Sequence, residues 1–314
     1  MRIIFMGTPD FSVGTFEALI EAGHEICLAV TQPDRQKGRG KEVQFSPVKE
    51  AAQKYQIPVF QPEKIRKKEC VEELKKYAAD VMVVVAFGQI LPKEILTLTP
   101  YGCINVHASL LPKYRGAAPI QWAIINGESV TGVTTMQMDE GLDTGDMILK
   151  TEVPVDENET GESLHDKLAA AGAKLCVETL KRIEEGTAVF KKQGESPTAY
   201  AKMLDKRMGN IDWNQPAVLI ERLVRGLNSW PSAYTHWQDK VLKIWRAKVE
   251  PEEKDKNERA VPGTVTAVRK DCVCVQTADG ILAVYELQIP GKKRMETEAF
   301  LRGYTIEAGT VFHA

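Results

Sequence analysis

Val81-Met82-Val83-Val84-Val85-Ala86 is a continuous apolar run dominated by β-branched residues. It has no polar face to offer to water, so it predicts a strand buried on both sides, as in a parallel sheet covered by helices. The run extends to Phe87 and stops at Gly88. It is the longest purely apolar stretch, well under the ~18 residues of a spanning helix.

Its surroundings support that reading. Strand-like runs at 3–6, 26–30, 59–60, 103–107 and 130–138 alternate with helical patterns near 16–20, 47–55 and 70–77. Residues 163–186 carry the longest helical stripe, Leu164, Leu168, Ala171 and Leu175, with Gly186 as its stop. Strands alternating with helices predict an α/β fold, a Rossmann-like, doubly wound, mostly parallel sheet. Residues 190–210 are polar and basic. From Tyr234 onward short strands at 241–247, 263–268, 272–277 and 281–287 predict a small β-barrel, OB-like in class. The expected division is a catalytic domain over 1–189, a linker over 190–207 and a barrel domain over 208–314.

Composition narrows the functional classes. With 314 residues, 41 Lys+Arg, 43 Asp+Glu and 43% hydrophobic residues, the chain is neither disordered nor strongly basic. Any polyanion binding must come from local patches. Residues 200–314 hold 18 Lys+Arg against 15 Asp+Glu, a slight positive excess. The six cysteines form no CxxC and no zinc spacing. They read as buried core thiols of a reducing, cytoplasmic protein. The first residues form a strand-like run with no signal-peptide layout. Trp213, Trp230, Trp237 and Trp245 read as packing residues. Gly7-Thr8-Pro9-Asp10-Phe11 lacks the three glycines of a dinucleotide fingerprint, and neither a Walker lysine loop nor a GxSxG elbow occurs.

Two stretches carry candidate chemistry. Asn105-Val106-His107 ends a predicted strand, which places Asn105 and His107 on one face. Open α/β sheets put ligands beyond the carboxyl ends of their strands. A neutral histidine accepts a proton, and an asparagine amide donates to a developing oxyanion. The second stretch, Met138 to Asp146, packs aspartates and glycines after another predicted strand. A carboxylate there can orient His107.

Together with Ser109-Leu110-Leu111-Pro112, Leu142-Asp143-Thr144-Gly145, Gly7-Thr8-Pro9-Asp10-Phe11, Gln32-Pro33-Asp34-Arg35, the basic run to Lys41 and Pro290 to Arg294, these residues resemble the folate-dependent formyltransferases. The resemblance runs nearly end to end and is closest to members that act on methionyl-tRNA. It implies that 10-formyltetrahydrofolate donates its formyl group to the α-amine of initiator methionyl-tRNA, without a metal. Asn105, His107 and Asp143 are the implied catalytic residues. The implied folate-lining residues are Ser109, Leu110, Leu111 and Pro112 with Phe87, Gly88, Gln89, Ile90 and Leu91. For tRNA the candidates are Arg35, Lys37, Arg39 and Lys41 in the basic loop, with Lys206 and Arg207 beyond it; Arg225 and Lys292 to Arg294 could extend that face. The same chemistry could serve an amino-sugar nucleotide acceptor, or water in a formyltetrahydrofolate hydrolase. A non-catalytic RNA-binding module on the same fold is the remaining alternative. The family implies a monomer, and no membrane association is expected.

Overall fold

A computed structural model describes residues 1–37, 42–251 and 259–314. These residues form two compact units. The first is Met1–Pro119, Val130–Pro154 and His165–Ala201; the second is Ile120–Ser129, Val155–Leu164 and Lys202–Ala314.

The strands of the first unit are β1 (Arg2–Gly7), β2 (Glu25–Val30), β3 (Arg35–Lys37), β4 (Glu42–Gln44), β5 (Val59–Phe60), β6 (Val81–Val85), β7 (Cys103–His107), β8 (Val130–Gln137) and β9 (Met147–Pro154). Seven of them make one sheet in the order β5-β2-β1-β6-β7-β8-β9. The pairs among β5, β2, β1, β6 and β7 are parallel, and those of β7 with β8 and β8 with β9 are antiparallel. β3 and β4 pair apart from it as an antiparallel ribbon. Every residue of β6 is buried, as its apolar run requires.

Helices α1 (Val13–Glu21), α2 (Pro47–Lys54), α3 (Lys68–Lys75), α4 (Lys93–Leu96), α5 (Pro119–Ile125) and α6 (Gly161–Glu184) alternate with the strands. The pleat divides the strand residues between two cores. Ile4, Met6, Met82 and Val84 pack with Cys70 and Leu74 of α3 and Ile95 of α4. Phe5 points the other way and meets Phe16 of α1 edge-on, with ring centroids 5.1 Å apart. Helices therefore cover both faces, the doubly wound arrangement expected. α2 starts with a side-chain cap, since Ser46 Oγ accepts from Lys49 N at 3.1 Å and Pro47 fills the first turn.

In the second unit α7 (Ala217–Gly226) precedes β10 (Ala233–Trp237), β11 (Lys240–Glu250), β12 (Val265–Val268), β13 (Val273–Gln276), β14 (Ile281–Gln288), β15 (Met295–Glu296) and α8 (Thr297–Leu301). The sheet order is β10-β11-β14-β13-β12, with β15 on β14. Residues 311–313 join its two edges: His313 bridges His236 of β10, and Val311 bridges Thr264 beside β12. The antiparallel sheet thus closes on itself, which removes free edges. Its core holds Ile211, Trp213, Trp237, Leu242, Val273, Leu287 and Phe300. Trp213 and Trp237 are packing residues as read. Trp245 instead lies under the cations of Lys243 and Arg294, and Trp230 is exposed. All six cysteines are free and buried.

The unit boundaries differ from the linear division. Phe190–Ala201 is not a linker: Lys191 exchanges two backbone hydrogen bonds with Met147 on β9, and Ala201 N donates to Arg115 O at 2.8 Å. An extended chain satisfies its amides on a sheet edge whatever its composition. Ile120–Ser129 and Val155–Leu164 belong instead with the barrel unit. There Arg225 donates to Glu159 O at 2.9 Å, and a Cβ on Gly161 would lie 2.7 Å from Asn228 O. Among the described residues no helix is long and apolar enough to cross a membrane.

Candidate active site

The chain leaves β1 for β2 and β5 on one side and returns to β6 on the other. The strand order reverses between β1 and β6, the place where an open α/β sheet leaves a crevice. Gly7 ends β1 because nothing larger fits, since a Cβ would lie 2.8 Å from Phe5 and Ser12. Thr8 Oγ1 donates to Phe87 O at 3.0 Å, Gln32 Nε2 donates to the same oxygen at 3.2 Å, and Ser12 Oγ donates to Val85 O at 2.6 Å. The loop after β6 is thus tied to the loop after β1, with Ala86 and Gly88 in left-handed backbone.

β7, beside β6, carries Asn105 and His107 on one face, as its pleat requires. Val106 faces the opposite way and packs on α6, where a Cβ on Gly172 would lie 2.9 Å from it. Asn105 and His107 are 9% and 6% exposed. Among the described residues nothing hydrogen-bonds the Asn105 amide. His107 Nε2 is 3.0 Å from Tyr114 O. A carbonyl only accepts, so Nε2 is the donor of that hydrogen bond. Asp143 Oδ2 stands 3.8 Å from the ring's Nδ1.

Asp143 arrives from the loop between β8 and β9. Its backbone is left-handed, with φ 55°, a conformation aspartate tolerates better than most side chains. Gly116 N donates to its Oδ2 at 2.8 Å. Gln193 Nε2 donates to Asp143 O at 2.9 Å and to Gly145 O at 2.7 Å. Gln193 Oε1 accepts from Arg115 Nε at 3.0 Å and Nη2 at 2.8 Å. Tyr114 N donates to Thr198 Oγ1 at 2.8 Å. The Tyr200 hydroxyl is pushed above its ordinary range, first by burial and then by the charge of Asp143.

The Asp143 carboxylate therefore stands 3.8 Å from His107, and Asn105 shares the β7 face with that histidine. The expected folate-lining segments divide. Phe87 and Leu91 are buried with the core of α3 and α4. Gln89 is used internally, accepting from Ile65 N at 2.8 Å and donating to Pro62 O at 3.0 Å. Gly88 and Ile90 remain accessible, Ile90 at 73%. In the second segment Ser109 and Leu111 are fully buried, while Leu110 and Pro112 are partly exposed. Ser109 O accepts from Thr134 Oγ1 at 2.7 Å, and the Lys150 ammonium donates to Leu111 O. That ammonium is held below the usual lysine range by burial and then by Lys191. Leu142, 55% exposed, lies on the Asp143 loop, and Lys93 with Glu140 at 3.7 Å ties that loop to the one after Ile90.

Of the basic candidates, Arg35 and Lys37 lie on β3, and Arg39 and Lys41 fall outside the described residues. Asp34, at the base of that ribbon, pairs with Lys49 at 2.5 Å and accepts from Gln61 at 2.8 Å. Lys206 and Arg207 are exposed in the second unit, Arg207 beside Asp205 at 3.3 Å. Arg225 and Arg294 are occupied by Glu221 and Glu286. Sequence reading missed Tyr114, Gln193 and Thr198. Nothing in their local pattern separates them from ordinary loop residues, and only the fold brings them to the site. Among the described residues no group of three His, Cys, Asp or Glu is placed to hold a metal ion.

Comparison with known proteins bears on this geometry. The profile of the formyl transferase family matches residues 1–180, and that of the formyl transferase C-terminal domain matches 203–305. The chain is 59% identical over 312 residues to the methionyl-tRNA formyltransferase of Agathobacter rectalis, covering 99% of each chain. It is 54% identical over 311 residues to that of Clostridioides difficile, again covering 99% of each. Among solved structures, an N-formyltransferase of Helicobacter canadensis with folinic acid and dTDP-3-aminofucose aligns at TM-score 0.67 and 19% identity, over 90% of this chain and 98% of that one. HypX of Aquifex aeolicus with tetrahydrofolic acid aligns at TM-score 0.63 and 21% identity, over 96% of this chain and 47% of that one. At those identities the likeness is one of fold.

Proposed function

Because the chain belongs to the formyl transferase family, we propose that it formylates the α-amino group of methionyl-tRNA, with 10-formyltetrahydrofolate as donor and the initiator tRNA as acceptor. Full-length identity of 59% to a methionyl-tRNA formyltransferase supports this acceptor. The structural observation that carries the chemistry is the approach of the Asp143 carboxylate to 3.8 Å from His107 Nδ1.

The donor supplies an activated formyl carbon. The chain supplies the rest. The amine of the acceptor attacks that carbon, and its carbonyl oxygen becomes an oxyanion. Asn105, with its amide unengaged, donates to that oxygen, a contribution of roughly 3–4 kcal/mol in comparable sites. The amine loses a proton as it bonds. His107 Nδ1 accepts it, and Asp143 stabilises the imidazolium. As the oxyanion collapses, the bond from the formyl carbon to the donor nitrogen breaks. The proton passes to that departing nitrogen, leaving tetrahydrofolate and the N-formylated amine. Burial of both strand residues keeps water from competing with the amine.

The accessible groups suit a flat donor. Ile90 and Leu142 present exposed apolar surface on two loops joined by Lys93 and Glu140. Gly88 lets a ring approach the backbone. Leu110 and Pro112 add partly exposed apolar contacts. Phe87, Gln89, Leu91, Ser109 and Leu111 support this surface from beneath. Arg35, Lys37, Arg39 and Lys41 would meet acceptor phosphates, with Lys206 and Arg207 as further contacts. The protein acts as a cytoplasmic monomer.

The deciding experiment supplies the donor with charged initiator tRNA, with an amino-sugar nucleotide, or with neither. Formylation of the tRNA alone is expected. Formylation of the sugar, or formate release without any amine, overturns the assignment.

A further inference from the structure

The side chain of Gln193 reaches two loops at once. Its Oε1 accepts both Arg115 Nε and Nη2, at 3.0 and 2.8 Å, and Arg115 Nη2 also donates to Gly194 O at 2.9 Å. Its Nε2 spends both hydrogens on the carbonyls of Asp143 and Gly145, at 2.9 and 2.7 Å. All the amide's donors are used, and its acceptor takes two bonds. The loop after β7, which bears Arg115, is thereby fixed to the loop after β8, which bears Asp143.

That fixation matters because Asp143 holds a left-handed backbone, with φ 55°. A non-glycine residue persists in that region when its surroundings hold it there. Gly145 is pressed against Gln137 O, which a Cβ would approach to 1.8 Å. The loop has one narrow seat, and the Gln193 amide clasps it on both sides of Thr144. The carboxylate is held separately, by Gly116 N at 2.8 Å. Gly116 follows Arg115, so the Gln193–Arg115 contact also steadies that donor.

We propose that Gln193 is a positioning residue of the active site, holding Asp143 opposite His107. The inference rests on the proposed roles of His107 and Asp143. The orientation of the amide follows from its neighbours, since only its nitrogen can serve two carbonyls and only its oxygen can serve a guanidinium.

Gln193→Glu tests it. The carboxylate keeps Arg115 and turns an oxygen toward two carbonyls, so the Asp143 loop is pushed from its seat. We expect kcat for tRNA formylation to fall roughly 10- to 100-fold, with KM for donor and acceptor little changed. In an Asp143→Asn background the same change should cost far less, because the two act through one element. An equal loss in both backgrounds, or wild-type kcat, overturns the proposal. If Gln193→Glu does not fold, Gln193→Met keeps the length, removes the amide's bonds to Arg115, Asp143 and Gly145 and carries the same test. His107→Ala and Asn105→Ala run alongside. Full activity in both removes the catalytic reading and this inference with it. Their inactivity beside a wild-type-like Gln193→Glu overturns the inference alone.

Discussion

Tyr114 O lies 3.0 Å from His107 Nε2, and that contact decides which nitrogen of the imidazole does chemistry. The carbonyl accepts a hydrogen bond from Nε2, which leaves Nδ1 as the nitrogen toward Asp143. Tyr114 itself has left-handed backbone, with φ 56°, and its amide donates to Thr198 Oγ1 at 2.8 Å. A backbone oxygen aimed in this way fixes the ring without a charged partner on that side.

Asp143→Asn keeps a side chain that tolerates left-handed backbone and removes the charge. It should lower kcat by about 10²–10⁴-fold and leave donor affinity close to wild type. Equilibrium donor binding and single-turnover rates separate the two. Weakened donor binding with normal turnover would assign Asp143 to binding instead.

Asn105→Ala should lower kcat/KM by about 10²–10³-fold and leave the shape of the pH profile unchanged. The amide does not titrate and has no hydrogen-bond partner to lose among the described residues. Stability should change little, and a thermal melt checks that. An altered profile would mean that Asn105 acts through His107.

The base of the basic ribbon gives a pH-dependent contribution to stability. The Lys49 ammonium, with Gln61, holds the Asp34 carboxyl below the usual carboxylate range. A depressed carboxylate binds its proton less readily folded than unfolded. Its stabilisation is therefore present above the ordinary carboxylate value of about 4 and is lost as pH falls through the folded value. Denaturant titrations should show Asp34→Asn less stable than wild type near neutrality, with the gap closing toward pH 3, about one unit below that value. A gap that persists in acid refutes this account.

Arg39→Ala should raise KM for aminoacyl-tRNA, flatten the dependence of binding on log salt by roughly one unit and leave donor binding unchanged. An unaltered kcat/KM for the tRNA would take Arg39 out of the acceptor site.

Much of the fold is legible in the sequence because its signals are local. The apolar run of β6, the periodicity of α6 and the alternation in β11 and β14 each record what neighbouring residues must bury. The pleat alone puts Asn105 and His107 on one face. The antiparallel edge is less legible. The outer edge of β9 is met at Met147 by Lys191, far along the chain. The stretch read as a linker shows the same limit. Phe190–Ala201 has the composition of a connector, yet its amides complete a sheet edge and its side chains reach Arg115, Tyr114 and Asp143.

Residue types and their spacing along the strands determined the parallel sheet, the second antiparallel unit and the shared face of Asn105 and His107, while Asp143 is singled out only by the family resemblance. The tertiary structure decided which imidazole nitrogen is free, how near the carboxylate stands and which remote side chains hold both loops. The last two depend on contacts between residues 27 to 84 positions apart, and no local pattern encodes a distance that only the packed sheet creates.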